Sequence, residues 1–241
     1  MAQSQNIYKS IIEAKHKQFA VLVDPDKHTE ASLHDLCVCI NQSKVDFLFV
    51  GGSLLVQSTF DYTIEYLKQH TKLPVVIFPG SNFQISNKAD AILFLSLVSG
   101  RNAEYLIGQQ VVAAPKVKAN NIEAIPTAYL LIDGGKISST AYITQTVPIP
   151  NDKPDIAVAT ALAAEIMGMK LIYLEAGSGA EKTISKEMIA AVKAAVNIPV
   201  VVGGGIRNAL NAQEIFDAGA DVIVVGNALE NNASLLTSLA K

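Results

Sequence analysis

The sequence of 241 residues has no tryptophan, two cysteines, four histidines and only 17% charged residues. Each shortage excludes something. Cys37 and Cys39 stand two apart in a helix-like stretch, where side chains at i and i+2 diverge. A disulfide pair is therefore excluded, and reduced, packed thiols of a cytoplasmic protein are expected. His16, His34 and His70 fall in or near helices and only His28 approaches a strand end, with no H-x-x-x-H spacing, so zinc is not expected. The net charge is −3 and no run of Lys or Arg occurs, which argues against a nucleic-acid partner gripped through its phosphates. No apolar stretch approaches the roughly 18 residues of a membrane span. "MAQSQNIYKS" has no apolar core, so no secretory leader is expected. Peripheral contact with a membrane stays open.

What is present is apolar. Hydrophobic residues make up 50% of the chain, enough for a sizeable core and too many for disorder. They fall into eight short runs: "FAVLV" (19–23), "FLFV" (47–50), "PVVIF" (74–78), "AILFLSLV" (91–98), "TAYLLI" (127–132), "LIYLEA" (171–176), "IPVVVGG" (198–204) and "DVIVVG" (221–226). Continuous apolar runs suit strands buried on both faces of a parallel sheet. Helices are predicted between most of them, at 30–42, 58–70, 102–110, 155–168, 185–196, 208–218 and 228–239. Ser185 and Asn208 supply start signals. Eight β/α units in a chain of this length predict an α/β fold, a TIM (β/α)8 barrel in one domain over 1–241; a doubly wound open sheet is the alternative. One unit is irregular. "PGSNFQISNKAD" (79–90) is too short and polar for a crossover helix, so the third helix is expected to be missing or replaced by extended chain. The open side would suit an elongated ligand.

Active sites of such barrels lie at the C-terminal strand ends. Three adjacent ends are rich in glycine: Gly177-Ser178-Gly179, Gly203-Gly204-Gly205 and Gly226-Asn227. Glycines let backbone N–H groups approach a ligand closely, and together they read as a phosphate grip. On the opposite wall, Asp24 and Ser53 offer a carboxylate and a hydroxyl that suit Mg²⁺ shared with a phosphate; each could equally cap a turn or helix. Glu175 is the strongest candidate base. Lys27 and Arg101 are cations at two strand ends, and either could be a solvated surface charge.

The blocks "VDPDK", "FVGGSLL", "VVIFPGS", "LVSGRN", "PTAYLLID", "YLEAGSGA", "VVVGGGIRN" and "VIVVGNALE" resemble the geranylgeranylglyceryl phosphate synthase family, which includes the bacterial heptaprenylglyceryl phosphate synthases. The similarity runs from about residue 19 to residue 230. It implies a modified TIM barrel with a replaced third helix. It also implies a prenyltransferase that uses Mg²⁺ to join sn-glycerol 1-phosphate to a polyprenyl diphosphate through an ether bond, with release of diphosphate. By resemblance, Asp24 and Ser53 are the Mg²⁺ positions, and Lys27 and Arg101 are candidates for holding diphosphate. Tyr173, Leu174, Glu175, Ala176, Gly177, Ser178 and Gly179, with Gly204, Gly205, Gly226 and Asn227, match the glycerol-phosphate segments, and Glu175 the carboxylate that deprotonates the acceptor. The implied tail is geranylgeranyl, with heptaprenyl as the alternative. The implied assembly is a homo-oligomer, dimer or hexamer. Gly177 to Gly179 would then hold the phosphate while Glu175 faces the hydroxyl at the far end of the glycerol. Two other readings of the same barrel remain: a sugar-phosphate isomerase or aldolase, which needs a His/Glu pair or a strand lysine, and a non-catalytic phosphate-ligand binder.

Overall fold

The computed structural model describes residues 6–240. All eight apolar runs are strands: β1 (Gln18–Val23), β2 (Phe47–Val50), β3 (Val75–Ile77), β4 (Ala91–Ser96), β5 (Glu123–Leu131), β6 (Leu171–Glu175), β7 (Val200–Gly203) and β8 (Val222–Val225). Each pairs with its sequence neighbour, and β8 closes on β1 in parallel, so the sheet is a closed eight-stranded barrel. Alternation of side chains across each strand makes two apolar layers. Phe47, Phe49, Leu93, Tyr173 and Val224 fill the interior, while Val21, Leu48, Val50, Ile92 and Leu174 pack outward against the helices.

The helices, in chain order, are α1 (Ile7–Ile12), α2 (Glu30–Asn41), α3 (Phe60–His70), α4 (Gln109–Asn120), α5 (Ser139–Thr144), α6 (Pro154–Ile166), α7 (Lys186–Ala195), α8 (Ala209–Asp217), α9 (Asn227–Asn231) and α10 (Leu236–Leu239). Ser185 and Asn208 do cap α7 and α8, each accepting from a backbone N–H three residues on. The helix expected at 102–110 is longer: a π-helical turn over Glu104–Gly108 leads into α4, which passes through Pro115 to Asn120. The helix expected at 228–239 is instead α9, a 3₁₀ turn over Ala233–Leu235 and α10. β5 starts at Glu123, earlier than its apolar run, and contains Pro126. Its first four residues pair only with β4, because β6 joins at Thr127 and leaves the other side free of a ladder there.

No helix lies between β3 and β4, as the polar segment predicts. That segment is anchored by Gln84. Its side-chain nitrogen donates to the Gly52 carbonyl at 2.8 Å, and its oxygen accepts the amides of Gly80 at 3.1 Å and Gly52 at 3.3 Å. One buried amide thus ties the helix-less stretch to the ends of β2 and β3. Among the described residues, no helix is long and apolar enough to cross a membrane.

Candidate active site

A cavity of about 1210 Å³ opens at the C-terminal ends of the strands. Its floor is aromatic. Tyr173 stacks on Phe78 with ring centroids 4.9 Å apart and on Tyr129 at 5.5 Å. Glu175 shares the inward parity of Leu171 and Tyr173 on β6, so its carboxylate enters the barrel mouth instead of the helical layer. It is buried, with 7% of its surface exposed. Burial raises its pKa to about 7, against the lowering effect of the Gly177 amide and the Tyr173 hydroxyl. Such a carboxyl can exchange a proton near neutral pH.

The Tyr173 hydroxyl is itself fully buried and lacks a well-aligned hydrogen-bond partner, although it lies close enough to Glu175 to favour the charged carboxylate. A β-carbon on Gly203 would fall 2.6 Å from that hydroxyl and 2.7 Å from Glu175 Oε2, so only glycine leaves both atoms room. An unpaired buried hydroxyl costs about 1–3 kcal/mol. Tyr173→Phe is accordingly expected to leave thermal stability of the free protein unchanged or raised, while weakening glycerol-phosphate binding in calorimetry. A clear fall in melting temperature would show that the hydroxyl serves the fold alone.

The glycine wall differs in detail from expectation. The Gly177 amide donates to Glu175 Oε1 at 2.7 Å. Asn227 Oδ1 accepts from the Ser178 hydroxyl at 2.7 Å and from the Gly179 amide at 3.1 Å. Gly177 therefore orients the Glu175 carboxylate, and the carboxylate and the turn touch each other instead of standing apart as the spacing suggested. Among the described residues, the amides of Ser178, Gly204 and Gly205 have no hydrogen-bond acceptor. Gly204 and Gly205 have φ of +88° and +73°. Consecutive glycines in the left-handed region, with free N–H groups, can form a concave seat for an anion. Two cations stand at this wall: Arg207 lines the cavity and donates to the Ala180 carbonyl at 2.7 Å, and Lys136 Nζ lies 3.2 Å from where a Gly179 β-carbon would be.

Across the mouth, Asp24 and Ser53 both line the cavity, joined by Lys27 and Glu230. Asp24 keeps its turn role, because Oδ1 accepts the Asp26 amide at 3.0 Å, and its other oxygen remains available. Burial raises its pKa, with the Asp26 charge adding to the rise. A bound cation would reverse that rise. Ser53 Oγ lies 3.3 Å from Thr140 Oγ1, which brings α5 over the mouth. Among the described residues, no group of three or more His, Cys, Asp or Glu side chains gathers to hold a metal. One carboxylate and one hydroxyl fit Mg²⁺, which keeps several waters and shares substrate phosphates, and do not fit a fully protein-caged ion.

Three expected positions stand elsewhere. Arg101 is exposed, donates to the carbonyls of Gly100 at 2.7 Å and Val98 at 3.3 Å, and takes no part in the cavity wall. A loop cation is satisfied most cheaply by its own turn carbonyls. Leu174 and Ala176 face the outer layer, so they contribute backbone alone. From the mouth the cavity continues outside the barrel, over Ile92 and Phe94 on β4, between Ile85 of the helix-less segment and Ala113 of α4. This apolar trough lies where the third helix is missing.

The PcrB family model matches residues 9–241. The chain belongs to the PcrB family. Relatives of this PcrB-family chain include the geranylgeranylglyceryl phosphate synthase of Chitinophaga pinensis, 49% identical over 97% of this chain and 94% of that one. Another, of the same name, comes from Pyrococcus furiosus and is 40% identical over 93% and 88%. Among solved structures, (S)-3-O-geranylgeranylglyceryl phosphate synthase from Thermoplasma acidophilum in complex with sn-glycerol-1-phosphate superposes with a TM-score of 0.90 at 36% identity, covering 100% and 96% of the two chains.

Proposed function

We propose that this chain is a prenyltransferase that joins sn-glycerol 1-phosphate to a polyprenyl diphosphate, giving the 3-O-prenyl ether and diphosphate. The observation that carries the reading is one continuous cavity, with a buried carboxyl and free backbone amides at one end and an apolar trough at the other. Names of the relatives, including the structure holding sn-glycerol-1-phosphate, support the same chemistry. They also favour geranylgeranyl as the tail.

The free amides of Ser178, Gly204 and Gly205, with Arg207 and Lys136, would seat the acceptor phosphate. Fixing that end turns the free hydroxyl toward the reacting carbon, and orientation lowers the barrier. Glu175 takes the hydroxyl proton as the ether oxygen bonds to the allylic carbon and the carbon–diphosphate bond breaks. The Gly177 N–H holds the carboxylate in place. Asp24 and Ser53 would hold Mg²⁺, which when bound neutralises charge on the departing diphosphate. Lys27 stands beside them to share that charge. No lysine lies on any of the eight strands, so a Schiff-base aldolase finds no nucleophile there.

A cytoplasmic homo-oligomer is proposed as the working form. Exposed Ile107 and Val111 near and on α4, and Ile166 and Met167 at the end of α6, supply apolar faces a second copy would cover. The test is incubation with Mg²⁺, sn-glycerol 1-phosphate and prenyl diphosphates from farnesyl to heptaprenyl, with products identified by mass spectrometry. An ether product is expected, greatest for geranylgeranyl; no ether product at any length overturns the reading.

A further inference from the structure

Six large apolar side chains stand exposed at the mouth of the barrel: Leu54 and Val56 after β2, Phe83 after β3, and Ile137, Tyr142 and Val147 after β5. Their exposures run from 68% for Leu54 to 86% for Val147. Soluble surfaces seldom gather so many large apolar groups around one opening. Three of them, Leu54, Ile137 and Tyr142, also line the cavity. Through these three side chains the apolar part of the cavity lining reaches the outer surface, between polar neighbours such as Ser53 and Ser138.

We propose that this rim is an interfacial docking surface for a lipid bilayer, which seats the open end of the cavity against the acyl region. The proposal rests on the prenyltransferase reading for its purpose, since a prenylated phosphate needs an apolar route out of the protein. Its physical basis is independent of that reading. The apolar side chains come from three separate connections, one of which carries α5, that share one end of the barrel, so they can enter an interface together, in the manner of an interfacial anchor. Charge at this end is mixed: Lys27, Lys136, Lys182 and Arg207 stand among Asp24, Asp26, Asp133, Glu181 and Glu230. Contact through apolar insertion, insensitive to salt, follows from that balance.

Vesicle sedimentation without substrates tests it, using the full chain and phosphatidylcholine vesicles in low and high salt. Val56, Phe83 and Val147 lie outside the cavity lining, so the triple variant V56D/F83D/V147D should spare the reaction. Wild type is expected to sediment with vesicles at both salt levels. The triple variant is expected to lose partitioning by roughly tenfold or more, with turnover of a short, water-soluble prenyl diphosphate in vesicle-free buffer unchanged. The proposal is overturned if wild type stays in the supernatant, or if the variant partitions like wild type. It is overturned too if light scattering shows that the variant breaks an oligomer while vesicle binding persists, which would make the rim a contact between copies. Binding is read without turnover, so failure to form ether product counts against the proposed reaction alone.

Discussion

Glu175→Gln is expected to lower kcat by about 10²- to 10⁴-fold, the usual contribution of a positioned base. Glycerol-phosphate binding, followed by calorimetry, should survive, because the amides of Ser178, Gly204 and Gly205 do not depend on the carboxylate charge. A non-catalytic binder would show no loss of function at all. The pH profile gives a second readout. The base works when deprotonated, so wild-type turnover should climb through about pH 7, the value to which burial raises this carboxyl. Stability moves the other way. The folded carboxyl holds its proton more tightly than the ordinary value of 4.5, so the stability it contributes falls as pH rises from 4.5 to about 7. The full cost is on the order of 3 kcal/mol. Glu175→Gln is free of that cost and should therefore melt no lower than wild type above pH 7. A Glu175→Gln variant that melts well below wild type above pH 7 would mean the carboxylate is a structural anchor.

Gly204→Ala is expected to reduce kcat/KM by about a hundredfold, the scale of an ångström-sized misplacement in a reaction centre. The added β-carbon would lie 2.7 Å from Glu175 Oε1 and 2.9 Å from the Ala176 amide, at a φ of +88°. Backbone on one side and the base on the other leave nothing flexible to yield. The strained φ alone costs roughly 1–2 kcal/mol for a residue with a side chain. Steady-state kinetics should therefore show a higher KM for glycerol phosphate together with a lower kcat. A change confined to kcat would place the phosphate seat elsewhere.

Much of this was legible in the sequence, for reasons that particular residues make clear. Parallel strands are buried on both faces, so their signature is local and strong, and all eight runs survive as strands. The missing third helix was legible because "PGSNFQISNKAD" cannot form one. Glu175 was legible because a carboxylate inside an apolar strand end stands out. Elements shaped by tertiary contact were not. Helix α5 has six residues, too few to announce themselves, although the length of the segment between β5 and α6 is itself a signal of a functional loop. Thr140, beside Ser53, was lost with it. Tyr129 sits in an ordinary apolar run, and only the β5–β6 register sets it against Tyr173. Pro115 and Gly108 hide the long helix formed by the π turn and α4. The role of Gly177 reversed because a backbone amide goes to the nearest buried carboxylate, and spacing cannot show which acceptor wins.

The arrangement of the trough has a consequence for how such a protein can change. Its walls, Ile85, Phe94 and Ala113, lie outside the staves, whereas Glu175 and the anion seat lie within the mouth. The closed cylinder stands between them, and Gln84 pins the helix-less stretch at its upper end only. Under the proposed reaction, substitutions along the outer trough should retune which tail length fits without touching Glu175. On that reading, selectivity and chemistry would be separable modules in this barrel, and the absent helix is what would separate them.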